Sequence, residues 1–176
     1  MKEILHHKTL DYVINYPDDY AEGKKFPLLI HLHGAGTRGN DISLVADTAV
    51  GPLGEINRGG KLPFIIAAPQ CPGKTWFEYS ETLLSLIDSL VMRDDVDRSR
   101  VYLCGISMGG YACWQVATVR AELFAAVMPV CGGGMPWAAG YLKGLPVWAH
   151  HGALDGVVDV SNSIDMYKAL KRMGSE

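Results

Sequence analysis

The sequence is poor in several features that would each announce a function. No apolar run approaches the roughly 20 residues needed to cross a bilayer, so no membrane span is expected. Lys and Arg number 16 against 19 Asp and Glu, a formal net charge of −3, and no basic cluster interrupts the chain. A nucleic-acid partner needs a positive face, and none is written here. The four cysteines, Cys71, Cys104, Cys113 and Cys131, form no Cys-x-x-Cys pair, so neither a metal site nor any other cofactor is implied. Cys104 and Cys113 fall in apolar stretches and read as small buried thiols. Cys71 and Cys131 lie at strand ends where they could meet, with nothing that demands a disulfide. Residues 1–9 are polar and lack a signal-peptide core, which makes the cytoplasm the expected compartment. Repeats, linkers and low-complexity tracts are absent as well. What is left is an ordinary globular composition, 48% hydrophobic and 20% charged, in one domain over 1–176 that is long enough to bury a core.

The apolar residues fall into two alternating patterns. Short runs at 9–16, 26–32, 64–68, 100–104, 125–130 and 146–150 read as strands, several of them apolar on both faces. Helical spacing covers 80–92, 108–119 and 161–173, the last stopped by Gly174. Asp41 is placed to cap a further helix over 42–49. The Gly/Pro-rich stretch 51–63 reads as irregular, and 94–100 as a turn. Strands alternating with helices predict an α/β domain with a mostly parallel sheet covered on both faces.

The chemistry gathers at Gly105-Ile106-Ser107-Met108-Gly109, where a strand ends and a helix begins. Such a strand-turn-helix junction strains the serine and lifts its hydroxyl clear of the sheet. By itself Gly-x-Ser-x-Gly arises by chance about once in ten chains this rich in glycine; the junction and the extra Gly110 behind it make Ser107 a nucleophile. Acyl transfer also needs donors for the developing oxyanion. The backbone N–H of Met108 supplies one, and the loop His33-Gly34-Ala35-Gly36 after an early strand supplies the other, from Ala35. His33 itself reads as a brace for that loop. Asp155, in His150-His151-Gly152-Ala153-Leu154-Asp155 beyond a late strand, is the acid; Asp159 is its rival, deeper in the loop. A glycine turn and a turn-forming aspartate are the bland readings of these two loops.

A base is missing. All six histidines, His6, His7, His31, His33, His150 and His151, precede Asp155, whereas in this arrangement the base follows the acid. His6 and His7 lie in the N-terminal tail and His31 inside a buried strand; His151 is the first to test if the chain proves active.

With these residues in hand, the chain resembles the α/β-hydrolase superfamily, and within it the bacterial phospholipase/carboxylesterase and feruloyl-esterase-like group. The resemblance rests on His33 to Asp41, on Ala68-Pro69-Gln70-Cys71-Pro72 with Trp76, and on Tyr102 to Tyr111. Phe124-Ala125-Ala126, Cys131-Gly132-Gly133 and Trp148 to Asp155 complete it, in family order. It implies an α/β-hydrolase fold and a serine carboxylesterase acting on a small-molecule ester. Ser107 would be the nucleophile, Asp155 the acid, Ala35 and Met108 the oxyanion hole, and Trp76 either a pocket residue or a core tryptophan. Relatives continue past the Lys171-Arg172-Met173-Gly174 position into a last strand and a Gly-His loop. The expectation is thus a domain without its final strand, weak or inactive alone, with residues 146–150 exposing an edge through which copies could self-associate. The rival expectation is a non-catalytic ligand- or partner-binding module of the same fold.

Overall fold

The computed structural model describes residues 1–174. Its apolar runs form one twisted sheet: β1 (Lys2–His7), β2 (Leu10–Asn15), β3 (Phe26–Leu32), β4 (Ile65–Pro69), β5 (Val96–Ile106) and β6 (Ala126–Val130). Their order across the sheet is β1-β2-β4-β3-β5-β6. The four strands from β3 to β6 run parallel, and the β1–β2 hairpin joins antiparallel to β4. Residues 146–150 continue the parallel part beyond β6 through two isolated bridges, Val127 to Val147 and Val130 to His150.

The helices are α1 (Ser43–Ala46), α2 (Gly51–Asn57), α3 (Ser80–Val91), α4 (Met108–Val119) and α5 (Ser161–Arg172). Alternation along the strands sends side chains to two cores. Leu28, Ile30, Ile65, Val101, Leu103 and Val127 pack with α3 and α4, while Val13, Ile66 and Ala68 pack with Val45 of α1 and Leu53 of α2. A sheet buried on both faces explains why its central strands are apolar throughout. Among the described residues no helix is long and apolar enough to cross a membrane.

Several sequence expectations need correction. The N-terminal stretch is a strand: Lys8, at φ 55°, turns β1 back on β2, and Leu5 packs against the core. Half-exposed edge strands carry too little apolar signal to be read locally. The stretch 51–63 contains α2, opened by Pro52 in its first turn, although Gly51 and Gly54 lower its intrinsic propensity. The helix expected over 42–49 is the four-residue α1; Asp41 still binds the Ser43 N–H through its carboxylate (3.1 Å). The expected turn 94–100 is largely the start of β5. All four cysteines are free.

Candidate active site

The loops after β3, after β5 and after residues 146–150 all leave the carboxyl edge of the parallel strands, where α/β sheets place their sites. Ser107 occupies the β5–α4 junction at φ 54°, ψ −117°, a conformation that non-glycine residues avoid. Its N–H donates to the Val130 carbonyl (2.9 Å), and its own carbonyl accepts from the Tyr111 N–H (3.0 Å). The turn is tight because its glycines allow it. A Cβ on Gly105 would lie 2.2 Å from the Gly109 oxygen, and one on Gly109 would lie 1.9 Å from the Leu32 oxygen.

The loop after β3 lies directly against the serine, since a Cβ on Gly34 would sit 3.5 Å from the Ser107 Cβ. Ala35 opens a short 3-10 turn, Ala35–Thr37, and Met108 opens α4, so the N–H groups of both are helix-start donors without an internal partner. Four neighbouring side chains fix the loop. His33 donates from Nδ1 to the Gly34 carbonyl (2.7 Å) and accepts the Cys71 N–H at Nε2 (2.9 Å), a pattern that sets its neutral tautomer. Burial pushes the His33 pKa down, in keeping with that neutral ring. Arg38 donates to the Ala35 carbonyl (2.8 Å), and Gln70 donates to the carbonyls of Thr37 and Asp41 (both 2.9 Å).

Trp76 is the fourth of these side chains, and of its two expected places, pocket or core, it takes the core. The indole is 1% exposed, packs in the main core, and donates from Nε1 to the His33 carbonyl (3.1 Å). A short 3-10 turn, Trp76–Tyr79, carries the ring inward beside the His33 ring, and it does not line the pocket beside Ser107. The pocket beside Ser107, about 310 Å³, is walled instead by Val45, Thr48, Val50, Leu53 and Ile106, with His31 among its lining residues. Sequence reasoning placed specificity in the loops 51–61 and 72–79; Leu53 of the first lines the pocket, none of the second does, and the wall from Val45 to Val50 was not foreseen. It also assigned no role to Gln70, Arg38 or His31, although the first two fall in the quoted motifs.

Asp155 lies on the same sheet edge but not beside the serine, since β6 separates the 146–150 segment from β5. Its Oδ1 accepts the N–H groups of Val157 (2.9 Å) and Val158 (3.0 Å). The backbone donors, Val158 first, hold its pKa below the usual carboxylate value, so the group is ionised at neutral pH. Its rival Asp159 accepts the Ser161 N–H (2.8 Å) at the start of α5.

Every histidine has another occupation. His6 pairs with Asp11, His7 with Ser85, and His31 with Cys104. His33 braces the loop, and His150 packs against the Trp148 ring. His151 is held by the Ser163 hydroxyl (2.7 Å) and the Val158 carbonyl (2.8 Å), with its Nε2 3.7 Å from Asp155. Among the described residues Ser107 Oγ makes no hydrogen bond. The structure thus brings Ser107 and the 34–37 loop together, keeps Asp155 on the same edge, and among the described residues places no imidazole beside the serine.

No protein-family model matches the chain. A probable feruloyl esterase C from Aspergillus oryzae is 28% identical over 166 residues, which is 91% of this chain and 61% of that protein. Feruloyl esterase C of Emericella nidulans is 26% identical over 160 residues, 89% of this chain and 58% of that protein. The chain therefore spans about three fifths of the length of these curated relatives. A crystal structure of a thermostable esterase matches at 31% identity with a TM-score of 0.81, over 99% of this chain and 52% of that one. Est1E from Butyrivibrio proteoclasticus matches at 17% identity and a TM-score of 0.70, over 96% of this chain and 85% of its own. The chain has the α/β-hydrolase fold and is related to esterases.

Proposed function

We propose that this α/β-hydrolase chain, a relative of the feruloyl and thermostable esterases, carries the nucleophile, the oxyanion donors and the acid of a serine carboxylesterase. The observation that carries the proposal is the backbone of Ser107, held at φ 54° against the braced 34–37 loop at the mouth of an apolar pocket. Ser107 Oγ attacks the ester carbonyl carbon, and the carbonyl oxygen takes up the negative charge against the Ala35 and Met108 N–H groups. The carbon–oxygen bond to the alcohol breaks, the alcohol leaves with a proton, and water then releases the acid from Ser107. Asp155, ionised by its backbone donors, is the group that would orient an imidazole.

No histidine among the described residues reaches the serine, so the proton of Oγ has no acceptor in the site. Loss of the histidine from a comparable triad costs about 10⁶ in turnover, and the oxyanion hole and binding retain about 10³–10⁴ over water. The 176 residues alone are therefore expected to hydrolyse p-nitrophenyl acetate and methyl ferulate slowly. Added imidazole should raise the rate above imidazole's own, and Ser107→Ala should abolish that increment. Efficient turnover without imidazole would refute the absence of a base and send the search to His151. If no ester shows any Ser107-dependent hydrolysis, the observation of a serine without a base favours the rival reading, a non-catalytic binding module of the same fold.

A further inference from the structure

Beside the Asp155 loop lies a buried imidazole whose hydrogen bonds do not close with a single ring proton. The His151 side chain is 3% exposed. Its Nε2 lies 2.8 Å from the Val158 carbonyl, which can only accept, so Nε2 carries a proton. Its Nδ1 lies 2.7 Å from the Ser163 Oγ on α5, and the same Oγ lies 3.1 Å from the Gly132 carbonyl. Ser163 is buried and has one hydroxyl proton to give. In the neutral ring Nδ1 is a bare acceptor, and it competes with the Gly132 carbonyl for that proton. The Gly132 carbonyl meets no other donor among the described residues, and a buried acceptor left unpaired costs stability. When Nδ1 is protonated as well, it donates to Oγ, and the hydroxyl proton is free for Gly132. Only the imidazolium satisfies all three contacts.

The charge of that imidazolium is met. Asp155 Oδ2 lies 3.7 Å from Nε2, and its backbone donors keep the carboxylate ionised. Ser161, and to a smaller degree a charge on His151, holds the Asp159 pKa below the usual carboxylate value. Both carboxylates come from the 152–160 loop, while α5 contributes the Ser163 hydroxyl and the turn after β6 the Gly132 carbonyl. That turn braces Ser107. Val130 accepts the Ser107 N–H (2.9 Å), and Cys131, at φ 40°, donates its N–H to the His150 carbonyl (2.7 Å). Gly132 presses on the first turn of α4, where a Cβ on it would lie 2.5 Å from the Gly110 carbonyl carbon. One hydroxyl proton therefore stands between the Asp155 loop and the turn that holds the serine.

We propose that Ser163 and His151 are positioning residues that couple the Asp155 loop to the turn bracing Ser107, and that protonation of His151 sets the coupling. A proton from solvent adds to Nδ1, the O–H bond of Ser163 stays intact, and the hydroxyl rotates from Nδ1 to the Gly132 carbonyl. In the imidazolium state the loop, α5 and the turn are tied together. In the neutral state the hydroxyl stays on the ring and Gly132 is released. The tie stands on geometry, whereas its bearing on hydrolysis rests on the esterase reading above: the state of His151 tightens or loosens the seat of the nucleophile. An imidazole ordinarily titrates between about pH 5 and 8, so the tie is made on the acid side of that window and undone on the alkaline side.

Nitrogen and carbonyl-carbon NMR of the 176-residue protein tests this without any variant. As pH falls from about 8 to 5, the His151 Nε2–H should persist and Nδ1 should pass from bare acceptor to N–H. The Gly132 carbonyl carbon should shift with the same midpoint. Exchange of the Ser107 and Cys131 N–H groups, corrected for its intrinsic pH dependence, should slow about two- to tenfold on the acid side, the worth of one hydrogen bond. In Ser163→Ala the ring should still titrate while the Gly132 carbonyl no longer follows; Ser163→Thr, which keeps the hydroxyl, should restore the link. A Gly132 carbonyl blind to the His151 titration in the wild type, or one that still follows it in Ser163→Ala, overturns the proposal. So does a His151 that gains no second proton in this window, or exchange that does not change across it. The tie observed in a protein without Ser107-dependent ester hydrolysis would defeat the esterase reading and leave the coupling standing. Ser107-dependent hydrolysis without the tie would do the reverse.

Discussion

At the scale of single residues, strain and support meet at Ser107. A non-glycine residue at φ 54° costs about 1–3 kcal/mol and persists only where its surroundings over-determine it. The surroundings here are the Val130 carbonyl, the Tyr111 N–H and glycines that let α4 touch β3 and β5. Gly109→Ala is the sharpest probe of that contact. Alanine ordinarily stabilises a helix by nearly 1 kcal/mol over glycine. At Gly109 the added methyl meets the Leu32 carbonyl at 1.9 Å, backbone that cannot swing away. Urea unfolding of Gly109→Ala should show a loss of about 1–3 kcal/mol in place of that gain. His31 gives a second prediction, in pH. Its folded pKa of about 4 lies below its ordinary 6.5, so the unfolded chain binds the extra proton first. Its stabilising contribution is complete above about 6.5, is lost as pH falls toward 4, and changes no further below that. The loss reaches about 3 kcal/mol, and urea titrations across the window should show a smaller fall in His31→Gln than in the wild type.

At the scale of elements, the loop after β3 is held from one side by the segment after β4. Gln70 and Trp76 both come from that segment and hydrogen-bond carbonyls of the 33–41 stretch. Gln70 is 2% exposed and spends both N–H donors on Thr37 and Asp41, 33 and 29 residues away in sequence. Gln70→Leu should cost about 1–3 kcal/mol, and its mark should be local. Hydrogen exchange should rise in residues 34–41 more than in β5 or α4, and Ser107-dependent ester hydrolysis should fall through kcat more than through KM. Uniform exchange across the molecule would deny Gln70 its positioning role. The Asp155 loop is held differently, by its own backbone donors and by the chain of contacts from His151 through Ser163 to the Gly132 carbonyl.

At the scale of the whole molecule, the parallel strands place three loops on one edge, with Ser107 between the 34–37 loop and the Asp155 loop in strand order. The junction at Ser107 and the helix after it were legible because their signals are local. An apolar run, glycines where no Cβ fits, and helical spacing need only neighbouring residues, and α4 runs over Met108–Val119 as the spacing indicates. The order Ser107 before Asp155, and the placing of all six histidines ahead of the acid, are likewise properties of the chain alone. Which face of its turn Trp76 presents, which side chains wall the pocket and what each histidine touches were not legible. Those depend on contacts between segments tens of residues apart, as between His31 and Cys104 or Gln70 and Thr37. The sequence by itself determined the strand-turn-helix and the chemistry it can carry, because sterics within a few residues dictate them. Only the tertiary structure decided that Trp76 supports the loop after β3 from the core and that His31 lines the pocket, because strand order and register bring those distant residues together.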